Sequence, residues 1–234
     1  MDASGYPEYA VDTYGKLTVE AGTSIKSDRG AIRTKAGAEV VINGGSFVVS
    51  NAFDGRNMTI HTIYAYGSGA KLTIYGGYFE QNHTSTGGAS VICPAGATID
   101  IYGGDFRDAM DDTYWENTAN FHNYMNYGAP VNVYGGTFDD TTVNKNLAAG
   151  YKAVDNNDGT YTVLFPQESF DALLENAVAG EPVQIPAGNF TVSGKNDLII
   201  VGSGANTVIN FGQSIENVNV SNVTIAGEPR LAVK

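Results

Sequence analysis

Four stretches of this chain spell out one pattern. They are Val40-Val-Ile-Asn-Gly-Gly-Ser-Phe47, Leu72-Thr-Ile-Tyr-Gly-Gly-Tyr-Phe79, Ile99-Asp-Ile-Tyr-Gly-Gly-Asp-Phe106 and Val131-Asn-Val-Tyr-Gly-Gly-Thr-Phe138. The shared form is apolar, any, Ile/Val, Asn/Tyr, Gly-Gly, any, Phe. A degenerate earlier copy is Leu17-Thr-Val-Glu-Ala-Gly22. The second glycines fall at 45, 77, 104 and 136, at intervals of 32, 27 and 32 residues. Spacings of this size belong to repeat architectures in which each unit buries its apolar face only against its neighbours.

Inside one copy the apolar residues alternate, as at Leu72/Ile74, Ile99/Ile101 and Val131/Val133. Period two is the strand signature, and it turns these side chains inward. The Gly-Gly pair permits a sharp corner at positive φ. Phe47, Phe79, Phe106 and Phe138 recur at one offset, so stacked repeats predict an internal ladder of rings about 4.8 Å apart. Asn43, Tyr75, Tyr102 and Tyr134 precede each corner and alternate outward, which predicts a second, exposed ladder. Upstream of three copies lies another strand followed by a small-residue turn: Ala31-Ile-Arg-Thr before Lys35-Ala-Gly-Ala38, Tyr64-Ala-Tyr before Gly67-Ser-Gly-Ala70, and Val91-Ile-Cys before Pro94-Ala-Gly-Ala97. Three short strands per repeat fit the intervals. Glycines interrupt every window before three helical turns can form, so amphipathic helices are excluded here.

Beyond the repeats, Tyr151 to Phe165 reads as a hairpin around Asp155–Gly159. Its Asn and Asp residues are ordinary turn formers, and the ligand spacing of a calcium loop is missing. Ser169 to Ala179 carries Phe170, Leu173, Leu174 and Ala177 at helical spacing. Val183 to Val192, Asp197 to Asn210 and Val218 to Ile225 then supply further strand-like runs.

The Gly-Gly-x-Phe copies resemble the right-handed parallel β-helix, or pectin-lyase-like, superfamily over about residues 13–140, and again over about 168–227. The helix followed by Ile185-Pro-Ala-Gly-Asn-Phe190 resembles the N-terminal cap of such proteins. The expected fold is all-β: a right-handed parallel β-helix (solenoid) with a β-hairpin and one short helix before a second short solenoid unit. The expected boundaries are 1–150 for the first solenoid, 151–165 for the hairpin linker and 166–234 for the helix-capped second unit.

Many members of that superfamily cleave polysaccharides. The resemblance therefore asks for Asn-Thr-Asp, Asp-Asp, Gly-His-Gly and Arg-Ile-Lys motifs, or for a calcium-binding carboxylate cluster. The chain has Asp111-Asp112, but Asn117-Thr-Ala departs from the pattern. None of Ile60-His-Thr, Asn82-His-Thr and Phe121-His-Asn has a Gly-His-Gly context. The densest acidic patch, Asp105, Asp108, Asp111, Asp112 and Glu116 beside Arg107, is a weak metal candidate. On an acidic protein it reads more simply as a solvated loop. No catalytic residue and no cofactor is expected.

A formal net charge of -12 repels phosphate backbones and anionic membrane surfaces, so no nucleic-acid partner is expected. No apolar run approaches a membrane span. Cys93 is alone, which leaves no disulfide framework and makes a small buried hydrophobe the simplest reading. Met1 to Ala10 holds Asp2, Pro7 and Glu8, without the basic start and apolar run of a secretory signal.

Two candidate binding surfaces remain. The insertion from Arg107 to Tyr127 departs from the repeat and concentrates Tyr114, Trp115, Phe121, His122, Tyr124 and Tyr127. Excursions from a rigid scaffold are where binding sites reside, although the same rings would also drive a flap to pack on the solenoid flank. The second surface is the row Tyr75, Tyr102, Tyr134, whose recurrence in successive repeats is equally what stacking that stiffens the corner would give. The functional expectation is a non-catalytic structural or adhesive component of an extracellular assembly: a phage virion fibre, spike or capsid-decoration protein, on a virion or cell surface. Its partners would be other subunits of the same assembly, as a homo-oligomer, or cell-surface polysaccharide. The alternatives are a bacterial surface or secreted polysaccharide-binding module, and a polysaccharide lyase or hydrolase.

Overall fold

The computed structural model describes residues 1–3, 9–50, 60–82, 89–108, 130–204, 206–212 and 215–226. The chain is all-β and divides into two units, residues 1–149 with 153–163 and residues 150–152 with 164–234.

In the first unit, β1 (Asp2–Ala3) precedes a series of strand triplets. The first is β2 (Val11–Thr13), β3 (Lys16–Val19) and β4 (Ser24–Ser27), and the second is β5 (Ile32–Thr34), β6 (Glu39–Ile42) and β7 (Ser46–Val49). The third is β8 (Ile60–Tyr66), β9 (Lys71–Ile74) and β10 (Tyr78–Gln81), and the fourth is β11 (Ala89–Ala95), β12 (Thr98–Ile101) and β13 (Asp105–Asp108). Then come β14 (Val131–Val133) and β15 (Gly136–Phe138), a 3-10 turn at Thr141–Lys145, and the hairpin β16 (Lys152–Asp155) and β17 (Tyr161–Leu164).

Each triplet gives one strand to each of three sheets. Their orders are β1-β4-β7-β10-β13-β15-β17-β16, β11-β8-β5-β2 and β14-β12-β9-β6-β3. Pairing between successive triplets is parallel and in register: Leu17, Val40, Leu72, Ile99 and Val131 form one row, and Ile25, Phe47, Phe79, Phe106 and Phe138 another. The degenerate copy at Leu17 therefore occupies the same place as its better-formed successors. The four phenyl rings stack at 4.9, 4.9 and 4.7 Å with planes 7°, 5° and 3° apart, all fully buried. β17 joins this sheet by pairing antiparallel with β15, and β16 forms its edge. At the other end, the first triplet leaves an apolar cavity of about 400 Å³ whose walls include Met1, Val11, Leu17, Val19, Ile25 and Ile32.

The two corner glycines act differently, as Gly103 and Gly104 illustrate. Gly104 sits at φ 120°, where L side chains are strained. Gly103 lies so close to the preceding repeat that a Cβ would stand 2.6 Å from the Tyr75 carbonyl oxygen.

In the second unit, α1 (Gln167–Glu175) starts two residues earlier than the apolar spacing predicts and ends before Ala177. The early start has a tertiary cause. The Gln167 side chain accepts from the Thr191 amide and donates to the Thr191 carbonyl, both at 2.9 Å. Asn176 ends the helix, its backbone N–H donating to the Ala172 and Leu174 carbonyls. Strands β18 (Pro182–Gln184), β19 (Gly188–Val192), β20 (Ile199–Val201), β21 (Thr207–Phe211), β22 (Asn219–Ser221) and β23 (Thr224–Ala226) follow. They form two parallel sheets, β18-β20-β22 and β19-β21-β23. Phe170, Leu174, Ile185, Phe190, Ile200 and Ile209 anchor the core, with Phe170 and Phe190 stacked at 4.7 Å.

Candidate functional site

The outer face of the β14-β12-β9-β6-β3 sheet carries the exposed ladder. Ile74, Ile101 and Val133 are fully buried, so the residue after each turns outward. Tyr75 and Tyr102 stack at 5.2 Å with planes 15° apart, and Tyr102 and Tyr134 at 4.8 Å with planes 8° apart. Tyr75 is 56% exposed and Tyr102 47%, whereas Tyr134 is half-buried. Because the rings cover one another's faces, the row presents mainly edges and hydroxyls. Asn43 continues the row, and its Nδ2 donates to Glu20 Oε2 at 3.0 Å.

Beside the tyrosines runs a second outward row, Thr18, Val41, Thr73, Asp100 and Asn132, in which Asn132 Nδ2 donates to Asp100 Oδ1 at 2.9 Å. A third row, Lys16, Glu39, Lys71 and Thr98, holds the cations of this face, with Lys16 paired to Glu39 at 2.9 Å. Partial burial and the Asp100 carboxylate push the Tyr102 phenol above its ordinary range, so it stays a neutral hydroxyl. The Tyr75 and Tyr102 hydroxyls, and Asp100 Oδ2, have no hydrogen-bond partner among the described residues.

A second cluster, on the β11-β8-β5-β2 sheet, was not anticipated from the sequence. Asp12, Arg33, Tyr64 and Cys93 share one row. Arg33 donates to Asp12 through Nε at 2.7 Å and Nη2 at 2.6 Å, and Lys35 lies 3.4 Å from the same carboxylate. These hydrogen bonds from Arg33, against the opposing effect of burial, hold the Asp12 carboxyl below the usual range. Tyr9 stacks on Tyr64 at 5.8 Å beneath the Arg33 guanidinium, 5.1 Å from its ring. Burial raises the Tyr9 phenol well beyond its ordinary value. Cys93 is 1% exposed. These groups come from repeats about twenty to thirty residues apart; the strand read upstream of the Gly-Gly copies holds Arg33, Tyr64 and Cys93, but no shared residue type marks the row they form with Asp12. Only the register does.

Of the acidic patch, Asp105 pairs with Arg107 Nη2 at 2.7 Å. Asp108 ends β13, and nothing is described of its side chain. Asp111, Asp112 and Glu116 lie outside the described residues, as do Tyr114, Trp115, Phe121, His122, Tyr124 and Tyr127. Among the described residues no group of three or more His, Cys, Asp or Glu side chains is placed to hold a metal ion. Among them, too, no helix is long and apolar enough to cross a membrane. No protein-family model, curated protein or solved structure matches the chain.

Proposed function

We propose that the chain is a right-handed parallel β-helix serving as a non-catalytic structural or adhesive component of an extracellular assembly, as a virion fibre, spike or capsid-decoration protein does. The observation that carries this reading is the unbroken phenyl stack Phe47–Phe79–Phe106–Phe138, flanked by in-register aliphatic rows. A core continuous through every repeat resists local opening, because no rung separates without exposing its neighbours. Right-handedness is the reading favoured for parallel strands joined by crossovers within one sheet.

The exposed tyrosine row favours a second reading, a surface or secreted module that binds polysaccharide. A lyase or hydrolase is the least supported alternative.

The test has two arms. Light scattering coupled to size exclusion should find a defined homo-oligomer that resists protease. Incubation with acidic and neutral polysaccharides, with and without calcium, should yield neither an ultraviolet-absorbing unsaturated product nor new reducing ends. Turnover in the second arm would overturn the non-catalytic reading. A stable monomer with no affinity for particles or cell surfaces would overturn the structural and adhesive one.

A further inference from the structure

We infer that the tyrosine face is a binding track for a neutral, extended polysaccharide, one chain lying along the stacking direction across Tyr75, Tyr102 and Tyr134. This rests on the surface-binding reading above and names its ligand.

Periodicity is the first argument. The same phenol recurs at 5.2 and then 4.8 Å along the row. A ligand that profits from every rung must itself repeat at close to that distance, which is about the length of one sugar ring in an extended glycan. The register of the parallel sheet fixes the row, so little ordering is needed on binding.

Hydrogen-bonding chemistry is the second. The unpartnered groups are two phenols, each donor and acceptor, and one carboxylate oxygen, Asp100 Oδ2, which only accepts. A polyhydroxyl chain offers both donors and acceptors and can satisfy all three. The stacked rings add an apolar edge for the C–H faces of the sugars. Their mutual stacking leaves no gap between the rings for the intercalation of a flat aromatic ligand.

Charge is the third argument, and it narrows the class. Among the described residues, the charged groups that touch or act on the row are Glu20, bonded to Asn43, and Asp100, beside Tyr102. Lys16 and Lys71 stand in the farthest row, Lys16 already paired. With a net charge of -12 overall, a uronate, sulfate or phosphate polymer would meet repulsion along the track. A neutral chain would not.

The experiment is native affinity electrophoresis through gels containing xylan, galactomannan, hydroxyethylcellulose or laminarin, with polygalacturonate and alginate as the anionic set. The wild-type chain should be retarded by at least one neutral polymer, insensitively to added salt, and by neither polyanion. Tyr75→Ala with Tyr102→Ala should weaken retardation at least tenfold, and Asp100→Asn several-fold. Tyr78→Ala, on another sheet, should leave it unchanged. Matching molar masses and far-ultraviolet circular dichroism would show that these variants fold. Three results would overturn the inference: no retardation by any neutral polymer, retardation by the polyanions alone, or retardation indifferent to Tyr102. An oligomer that dissociates in the double tyrosine variant would assign the row to a second copy of the chain instead. Any of these leaves the structural reading standing, since that reading falls only to a stable monomer with no affinity for particles or cell surfaces.

Discussion

Phe79 and Phe106 stack with ring centroids 4.9 Å apart and planes 5° from parallel, although 27 residues separate them where their neighbours are 32 apart. The Phe47–Phe79 pair, across the longer interval, has the same 4.9 Å separation. Differences in repeat length are thus absorbed between the strands, as in the turn from Tyr66 to Lys71 against the shorter one from Ala95 to Thr98. Rung register is what the core holds constant. The reason is energetic: a slip of one residue would turn a phenyl ring out to water on one side of the stack.

The middle of that stack should be its most sensitive point. Phe106→Ala removes a fully buried ring with partners on both sides. A loss of about 3–5 kcal/mol is expected. Urea denaturation of the first unit, followed by near-ultraviolet circular dichroism, measures it; a loss below about 1 kcal/mol would contradict a close-packed stack.

Glycine substitutions should separate by backbone conformation. Gly104→Ala forces a side chain into φ 120° with its Cβ 3.0 Å from the Phe106 ring, and should cost about 1–3 kcal/mol. Gly15→Ala meets nothing within 4 Å, and its φ lies outside the strained range. It should be neutral or stabilise by a few tenths of a kcal/mol. Thermal midpoints of the two variants compared side by side decide this.

The Asp12–Arg33 pair should appear in the acid limb of the stability curve. The folded carboxyl titrates below its ordinary value, so its stabilisation is present above the unfolded value of about 3.9 and is lost as pH falls through the folded one. Asp12→Asn should therefore be less stable than wild type at neutral pH, and the gap should close in acid. Carboxyl chemical shifts followed by NMR give a direct reading: Arg33→Gln should return the Asp12 titration towards the ordinary range.

Tyr9 should govern the alkaline limb. Its phenol is held neutral by burial, so its contribution persists below the unfolded value of about 10 and disappears as pH rises above it. Phenolate absorbance should show Tyr9 ionising only with unfolding. Tyr9→Phe should lose stability less steeply than wild type above that pH. Smooth ionisation of Tyr9 in the folded protein would refute the buried placement.

The repeat, its strand periodicity and the positions of both aromatic ladders were legible in the residues themselves. Alternation and recurrence at a fixed offset are local, and in a parallel stack a local pattern repeated is already a long-range contact. Gly-Gly announced the corner for the same reason. The helix at Gln167 was legible only in outline, because its first turn is set by Thr191, twenty-four residues away. The net charge of -12, read from the residues alone, is what argues against a nucleic-acid partner. What tertiary structure decided is which unlike residues share a row. Asp12, Arg33, Tyr64 and Cys93 follow no motif, and they meet because β2, β5, β8 and β11 pair in one register. The same holds for Asp100 and Asn132 beside the tyrosines, where a hydrogen bond 32 residues long leaves a single carboxylate oxygen available. Sequence fixes a pattern that repeats; chemistry between non-repeating side chains is settled only when strand pairing brings them within hydrogen-bond distance.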